Sequence, residues 1–196
     1  MATAQAALTP VANTAPAVAS IPAKELSGAQ WVARFPGSKA ITDLAATFQA
    51  KVNLFFGAIT TAGGSTDVSA TYRPAERAYL MHYAVKLSKG EIAAADIPSM
   101  DGVNIQWVHP TAADSTAAAT AMVSGYGIAF PPALVTNHSK KTAIDVTITN
   151  MVGKTIKNAS GTDVVINALA DLNAVGATYG VIKLVNDPPH WSEDGH

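Results

Sequence analysis

The chain contains no cysteine. Disulfides, thiolate metal sites and a cysteine nucleophile are therefore excluded together. Any metal site must be assembled from His, Asp and Glu, and the fold suits reducing and oxidising surroundings equally. Charge is also scarce: charged residues make up 14% of the sequence and the formal net charge is −1. No basic footprint points to nucleic acid, and no basic helix points to a membrane surface. No apolar run approaches the roughly 20 residues needed to span a bilayer. Residues 1–20 lack a basic n-region, and Pro10 and Pro16 interrupt their apolar positions, which argues against a signal peptide.

What remains is 196 residues with 48% hydrophobic content, enough for one domain with a sizeable core. Residues 1–25 read as a low-complexity lead of Ala, Thr, Pro and Val, and residues 26–196 as one globular unit. Leu44, Phe48, Val52, Phe55 and Ile59 recur at steps of three and four, predicting an amphipathic helix over 41–62 that starts near Thr42 or Asp43 and stops at Gly63-Gly64. A short β-prone run over 67–72 ends at Pro74, which opens a second helix with Ala78, Met81, Val85 and Leu87 as its buried stripe. Residues 111–124 form an Ala-rich helix with Asp114 and Ser115 near its start.

The second half changes character. A short apolar strand is expected over 133–136, and 142–149 alternates with the period of two that marks a strand. A polar hairpin over 151–163, a helix over 164–177 and a last strand over 181–185 complete the reading. Helices first and strands late favour an α+β fold, helices packed on a small antiparallel sheet.

Two stretches carry chemistry. In Thr136-Asn137-His138-Ser139-Lys140-Lys141-Thr142-Ala143-Ile144-Asp145, a short loop brings a histidine and an aspartate together, with small Ala143 sharing the strand face of Asp145. In Asp187-Pro188-Pro189-His190-Trp191, the prolines restrict the turn that carries an acid and a second histidine. Two imidazoles and one carboxylate make a three-ligand zinc site with an open fourth position, where zinc brings the pKa of water to about 7. Asp187 is placed to act as a general base. Arg73, after Ser69-Ala70-Thr71-Tyr72, is placed to hold a substrate oxygen.

These motifs resemble those of the zinc D-Ala-D-Ala carboxypeptidases and dipeptidases and the phage L-alanyl-D-glutamate endopeptidases, which share a fold with the hedgehog signalling domain. The family's first metal motif reads S-x-H-x-x-G-x-A-x-D. Here His138, Ala143 and Asp145 match, Thr136 replaces Ser and Lys141 replaces Gly. Its second reads E-x-x-H-W, with Asp accepted for Glu in some endopeptidases, matched by Asp187, His190 and Trp191. Its arginine motif, S-x-Y-R-S, is approximated by Ser69 to Arg73, with one extra residue and with Pro74 in place of Ser. The family's Gly points to a positive φ that Lys141 would resist.

The resemblance implies His138, Asp145 and His190 as Zn²⁺ ligands, Asp187 and Arg73 as catalytic groups, and the peptidoglycan stem peptide as substrate. An L-Ala-D-Glu endopeptidase is favoured over a D-Ala-D-Ala carboxypeptidase, acting in the periplasm or at the cell wall. Delivery by phage lysis or an injection apparatus follows if no signal peptide exists, with an immunity protein as a further partner in the second case. The alternative is a non-catalytic wall- or partner-binding module of the same fold, and a structural component of a larger assembly is a third reading.

Several residues read two ways. Arg73 is equally a surface ion-pair partner of Glu76. His82, beside Tyr83 on the second helix, either packs or lines the cleft as support for a ligand. Tyr72, Lys141 and Trp191 are weaker candidates for substrate or supporting contacts. His109 reads as structural, and Trp31 and Trp107 as core rather than sugar platforms. Asn137 and Asn158 match the glycosylation pattern, which is common by chance.

Overall fold

A computed structural model describes residues 23–196. Most of the expected lead lies outside the described residues. Packed chain begins with β1 (Glu25–Leu26), which pairs in parallel with β3 (Ile105–Gln106), so Glu25 belongs to the globular part. The fold is α+β. Among the described residues, no helix is long and apolar enough to cross a membrane.

The first long helix, α1 (Ala46–Thr61), buries Phe48, Val52, Phe55, Phe56 and Ile59. It starts later than the periodicity predicts, because Ile41–Asp43 forms a separate 3₁₀ turn and Leu44 and Ala45 then take extended ψ angles of 155° and 136°. The second, α2 (Ala75–Ser88), follows Pro74 as expected and packs on α3 (Ala112–Tyr126). Helix α3 starts on Thr111, whose Oγ1 accepts from Asp114 N at 3.1 Å, and ends at Gly127, with φ 65°. Trp31 and Trp107 lie in the core between these helices, and His109 Nε2 meets Ser27 Oγ at 2.9 Å.

The central sheet has the order β2–β4–β8–β7, antiparallel throughout. Its strands are β2 (Ser65–Ala70), β4 (Ala143–Thr149), β7 (Ile182–Lys183) and β8 (His190–Ser192). Along β4, Ile144, Val146 and Ile148 face α1 and form the main core with Phe55 and Trp191. Alternation sends Asp145 and Thr147 to the opposite face. That face carries the site.

Three expectations fail. Residues 133–136 form no strand and are largely exposed; β4, the next strand in the chain, pairs with β2 and β8 instead. Residues 164–177 are not one helix. Val164 and Val165 instead belong to β6 (Asp163–Val165), which forms a hairpin with β5 (Thr155–Lys157). Helix α4 (Asp171–Thr178) starts where Asp171 Oδ2 accepts from the amides of Asn167 and Ala168. Finally, the strand expected over 181–185 shrinks to β7, and His190 lies within a further strand, β8, that sits inside the sheet.

Candidate metal centre

Register assembles the site. Asp145 and His190 are directly opposite each other across β4 and β8, and Ala143 is opposite Ser192. Directly opposed residues share a face with their Cβ atoms close together. His138 arrives from a tight turn rather than a strand end. Thr136 and Ser139 tie that turn reciprocally: Thr136 N donates to Ser139 Oγ at 3.1 Å and Ser139 N donates to Thr136 Oγ1 at 3.2 Å. A hydroxyl at position 136 suffices for this. The turn closes at Lys141, whose φ of 64° is left-handed. The Lys141 ammonium lies 4.7 Å from the centre of the Tyr72 ring.

His138, Asp145 and His190 each direct one ligand atom to a common point, all within 4.8 Å of one another. His138 Nε2 and His190 Nδ1 each lie 3.1 Å from Asp145 Oδ1. Tetrahedral zinc with N and O ligands at 2.0–2.2 Å separates its donors by about 3.3 Å, which matches the two nitrogen-to-carboxylate separations. Both histidines are buried, 3% and 7% exposed. Each ring's other nitrogen also meets a carbonyl: His138 Nδ1 lies 3.3 Å from Thr71 O, and His190 Nε2 lies 3.1 Å from His196 O. Thr71 is placed by the irregularity in β2, where pairing skips from Val68 to Ala70 and leaves Ser69 as the extra residue.

Proton counting makes this cluster unusual. Four ring nitrogens face oxygen atoms, yet two neutral imidazoles carry only two N–H groups. The group could hold a metal ion at the nitrogens that face Asp145. Burial opposes ionisation of Asp145, but the hydrogen bonds from His138 and His190 outweigh it and hold the carboxyl well below its ordinary range. Burial opposes charge on His190, but Asp145 and the His196 carbonyl outweigh it and raise the ring's pKa.

A cleft of about 580 Å³ opens over the cluster, lined also by Arg73, Asp187 and Lys140. Volumes of this order are typical of small-ligand sites. Burial draws the Arg73 guanidinium below its ordinary range, and Asp145 and Asp187 pull it back up. Among the described residues, no ion pair joins Arg73 to Glu76. Asp187 is exposed on the turn between β7 and β8, and Pro188 and Pro189 follow it.

The weaker candidates stand apart from the cleft. His82 Nδ1 meets Pro132 O at 2.7 Å, behind the loop that forms one wall. Trp191 faces the core, its ring centre 5.5 Å from that of Phe55. Tyr72 and Lys141 face each other, and neither lines the cleft.

Sequence reasoning missed Lys183 and Asn137. Lys183 Nζ donates to the carbonyls of Leu184 at 2.7 Å and His190 at 3.0 Å, and also to that of Asp187. It thereby pins the turn that carries Asp187 and His190. Asn137 Nδ2 reaches Asp194 Oδ1 and His196 O. Lys183 belongs to no motif, and Asn137 drew notice only as a glycosylation match; their partners lie in segments that only the folded structure brings beside them. Compared with known proteins, the chain matches no family model and none of the curated proteins. The His138–Asp145–His190 group, competent to bind a metal ion, is what the fold itself establishes.

Proposed function

We propose that the chain is a zinc-dependent peptidoglycan peptidase of the D-Ala-D-Ala carboxypeptidase and L-alanyl-D-glutamate endopeptidase group, cutting an amide bond in the stem peptide. The observation that supports a metal is the convergence of His138, Asp145 and His190, with both histidines buried and one ligand atom of each within 4.8 Å of the others. His138, Asp145 and His190 would hold the ion. Two nitrogens and one carboxylate oxygen, without sulfur, fit zinc as they fit iron, and the choice of zinc rests on the motif resemblance. When bound, zinc supplies a Lewis acid and a water whose pKa lies near neutrality.

The remaining chemistry falls to the chain's own side chains. Asp187, at the cleft's edge, accepts a proton at its carboxylate and returns it to the departing amine nitrogen. Arg73, a fixed cation on the cleft wall, pairs with the carbonyl oxygen as negative charge develops there. The hydroxyl lock between Thr136 and Ser139 and the β4–β8 ladder keep the donors in place. The wall substrate rests on the motif resemblance, and Asp187 in place of Glu favours the L-Ala-D-Glu bond. Action at the cell wall, by phage lysis or as an injected effector, follows from that substrate.

Incubation of purified sacculi with zinc-loaded protein tests the reading. New N-termini at D-Glu, found by mass spectrometry and absent with His138→Ala, are expected. Loss of single terminal D-Ala residues would reassign the bond, and zinc uptake with no released peptide would make the chain a non-catalytic binding module.

A further inference from the structure

The segment after β8 turns back over the site. Ser192 is fully buried, and its Oγ accepts from Gly195 N at 2.8 Å and His196 N at 3.0 Å. Asp194 Oδ1 accepts from Ser192 Oγ at 3.2 Å and His196 N at 3.1 Å. These bonds curl residues 192–196 into a compact turn, and its outer end presents the His196 carbonyl to His190 Nε2 at 3.1 Å. The turn is tied to the rest of the protein at two places. Glu193 N donates to Thr142 O at 3.0 Å, and its carboxylate meets Lys51 Nζ at 2.6 Å. Asn137 Nδ2 donates to Asp194 Oδ1 at 2.6 Å and to His196 O at 2.7 Å.

The last pair of bonds is the informative one. Asn137 directly precedes His138, and its amide holds the same carbonyl that orients His190. One side chain therefore links the surroundings of both histidines. An imidazole that donates one N–H to a fixed carbonyl keeps its other nitrogen free as a lone-pair donor in a set direction. Without the strap, His190 Nε2 would face the open cleft and water, and the ring could take either tautomer.

We infer that residues 192–196 act as a strap that fixes the tautomer and orientation of His190, and that Asn137 is the positioning residue that holds the strap against the site. The inference rests on the metal-site reading above. Asn137 and Asp194 also line the cleft, and in this role their effect passes through the His196 main-chain oxygen.

Zinc affinity, measured by competition with a chromogenic chelator, decides the matter. Asn137→Ala and Asp194→Ala should each weaken zinc binding by about tenfold, the lower end of the range for such supporting contacts. Asp194→Asn keeps an oxygen acceptor and should bind as the parent does. In the zinc-loaded parent, the His190 Nε2–H should give a slowly exchanging proton signal by NMR, and both alanine variants should lose it. If Asn137→Ala does not fold, Asp194→Ala with its Asn rescue carries the test. Parent-like affinity in both alanine variants overturns the strap and leaves the metal site standing. A parent that takes up no zinc overturns the metal site, and the strap with it.

Discussion

Adding zinc to the metal-free protein should expel a proton from His190. Both of its ring nitrogens face oxygen, and Asp145 and the His196 main-chain oxygen raise its pKa against burial. Coordination through the nitrogen facing Asp145 removes that proton, so below the ring's pKa zinc affinity should rise by about tenfold per pH unit. The sign for the metal-free protein is opposite. The folded-state pKa of His190 is raised, so its stabilising contribution is complete below the unfolded value of about 6.5 and fades as pH rises through the folded value. Asp145 is depressed, so its contribution is present above about pH 4 and is lost only in acid. The metal-free site is therefore best satisfied between about pH 4 and 6.5. Zinc inverts the trend above that window. At 100 times its dissociation constant it adds about 2.7 kcal/mol, roughly 5–11 °C in melting midpoint for a chain of this length. Calorimetry in buffers of different ionisation enthalpy counts the protons: release is expected near pH 6, and less as pH rises. Zinc uptake without proton release at pH 6, or an equal thermal shift in His138→Ala, would refute the reasoning.

Three substitutions probe the frame around the cluster. A Cβ at Gly176 would lie 2.7 Å from both a ring carbon of buried Trp191 and the Val181 carbonyl, so Gly176→Ala should cost about 1–3 kcal/mol by urea denaturation and alter the near-UV signal of the tryptophans. Lys141→Gly relieves a left-handed φ that costs about 1–2 kcal/mol and gives up an exposed cation–π contact worth about 0.5–1 kcal/mol; the same assay should register a gain of about 0.5–1 kcal/mol at unchanged zinc affinity. Lys183→Met frees the turn carbonyls of Leu184, Asp187 and His190. It should lower sacculus digestion by about tenfold or more while zinc affinity moves only a few-fold, in the range of losing one or two charge-assisted hydrogen bonds.

Much of this arrangement was legible in the order of residues, but unevenly. The stripe from Leu44 to Ile59 located α1, and strict alternation over 142–149 located β4, because both patterns are long enough to distinguish a period of 3.6 from a period of two. The donor set was legible because imidazole and carboxylate are scarce here and fall close together in two stretches. Strand β8 was not legible. It has three residues, His190 to Ser192, and its place between β4 and β7 follows from pairing rather than from any local pattern. Residues 133–136 misled for the converse reason: a short apolar run carries no information about whether a strand pairs with it, and here none does. The positive φ at Lys141 was inferable only through the family's glycine, since a lysine carries no local signal for that conformation.

The same short strand separates two tasks within the site. Asp145 lies on a strand paired on both sides, and His190 lies on a strand paired on both sides, so hydrogen-bonded ladders fix their backbones before any ligand arrives. His138 is fixed by a turn in which the Thr136 and Ser139 hydroxyls each accept from the other's amide, and by two amides, Arg73 N and Lys141 N, that share its carbonyl. Donors on such supports lose little freedom when a cation binds, which favours affinity. Asp187 has no ladder. It rides on an exposed turn held by Lys183 and two prolines, so its distance from a bound peptide is the softest coordinate in the cleft. A general base needs to come within about 3 Å of the proton it takes, and an error of about 1 Å can cost 100-fold in rate. In the proposed peptidase, metal retention and hydrolysis would thus be set by different parts of the fold: the first by sheet register, the second by how firmly one lysine closes one turn.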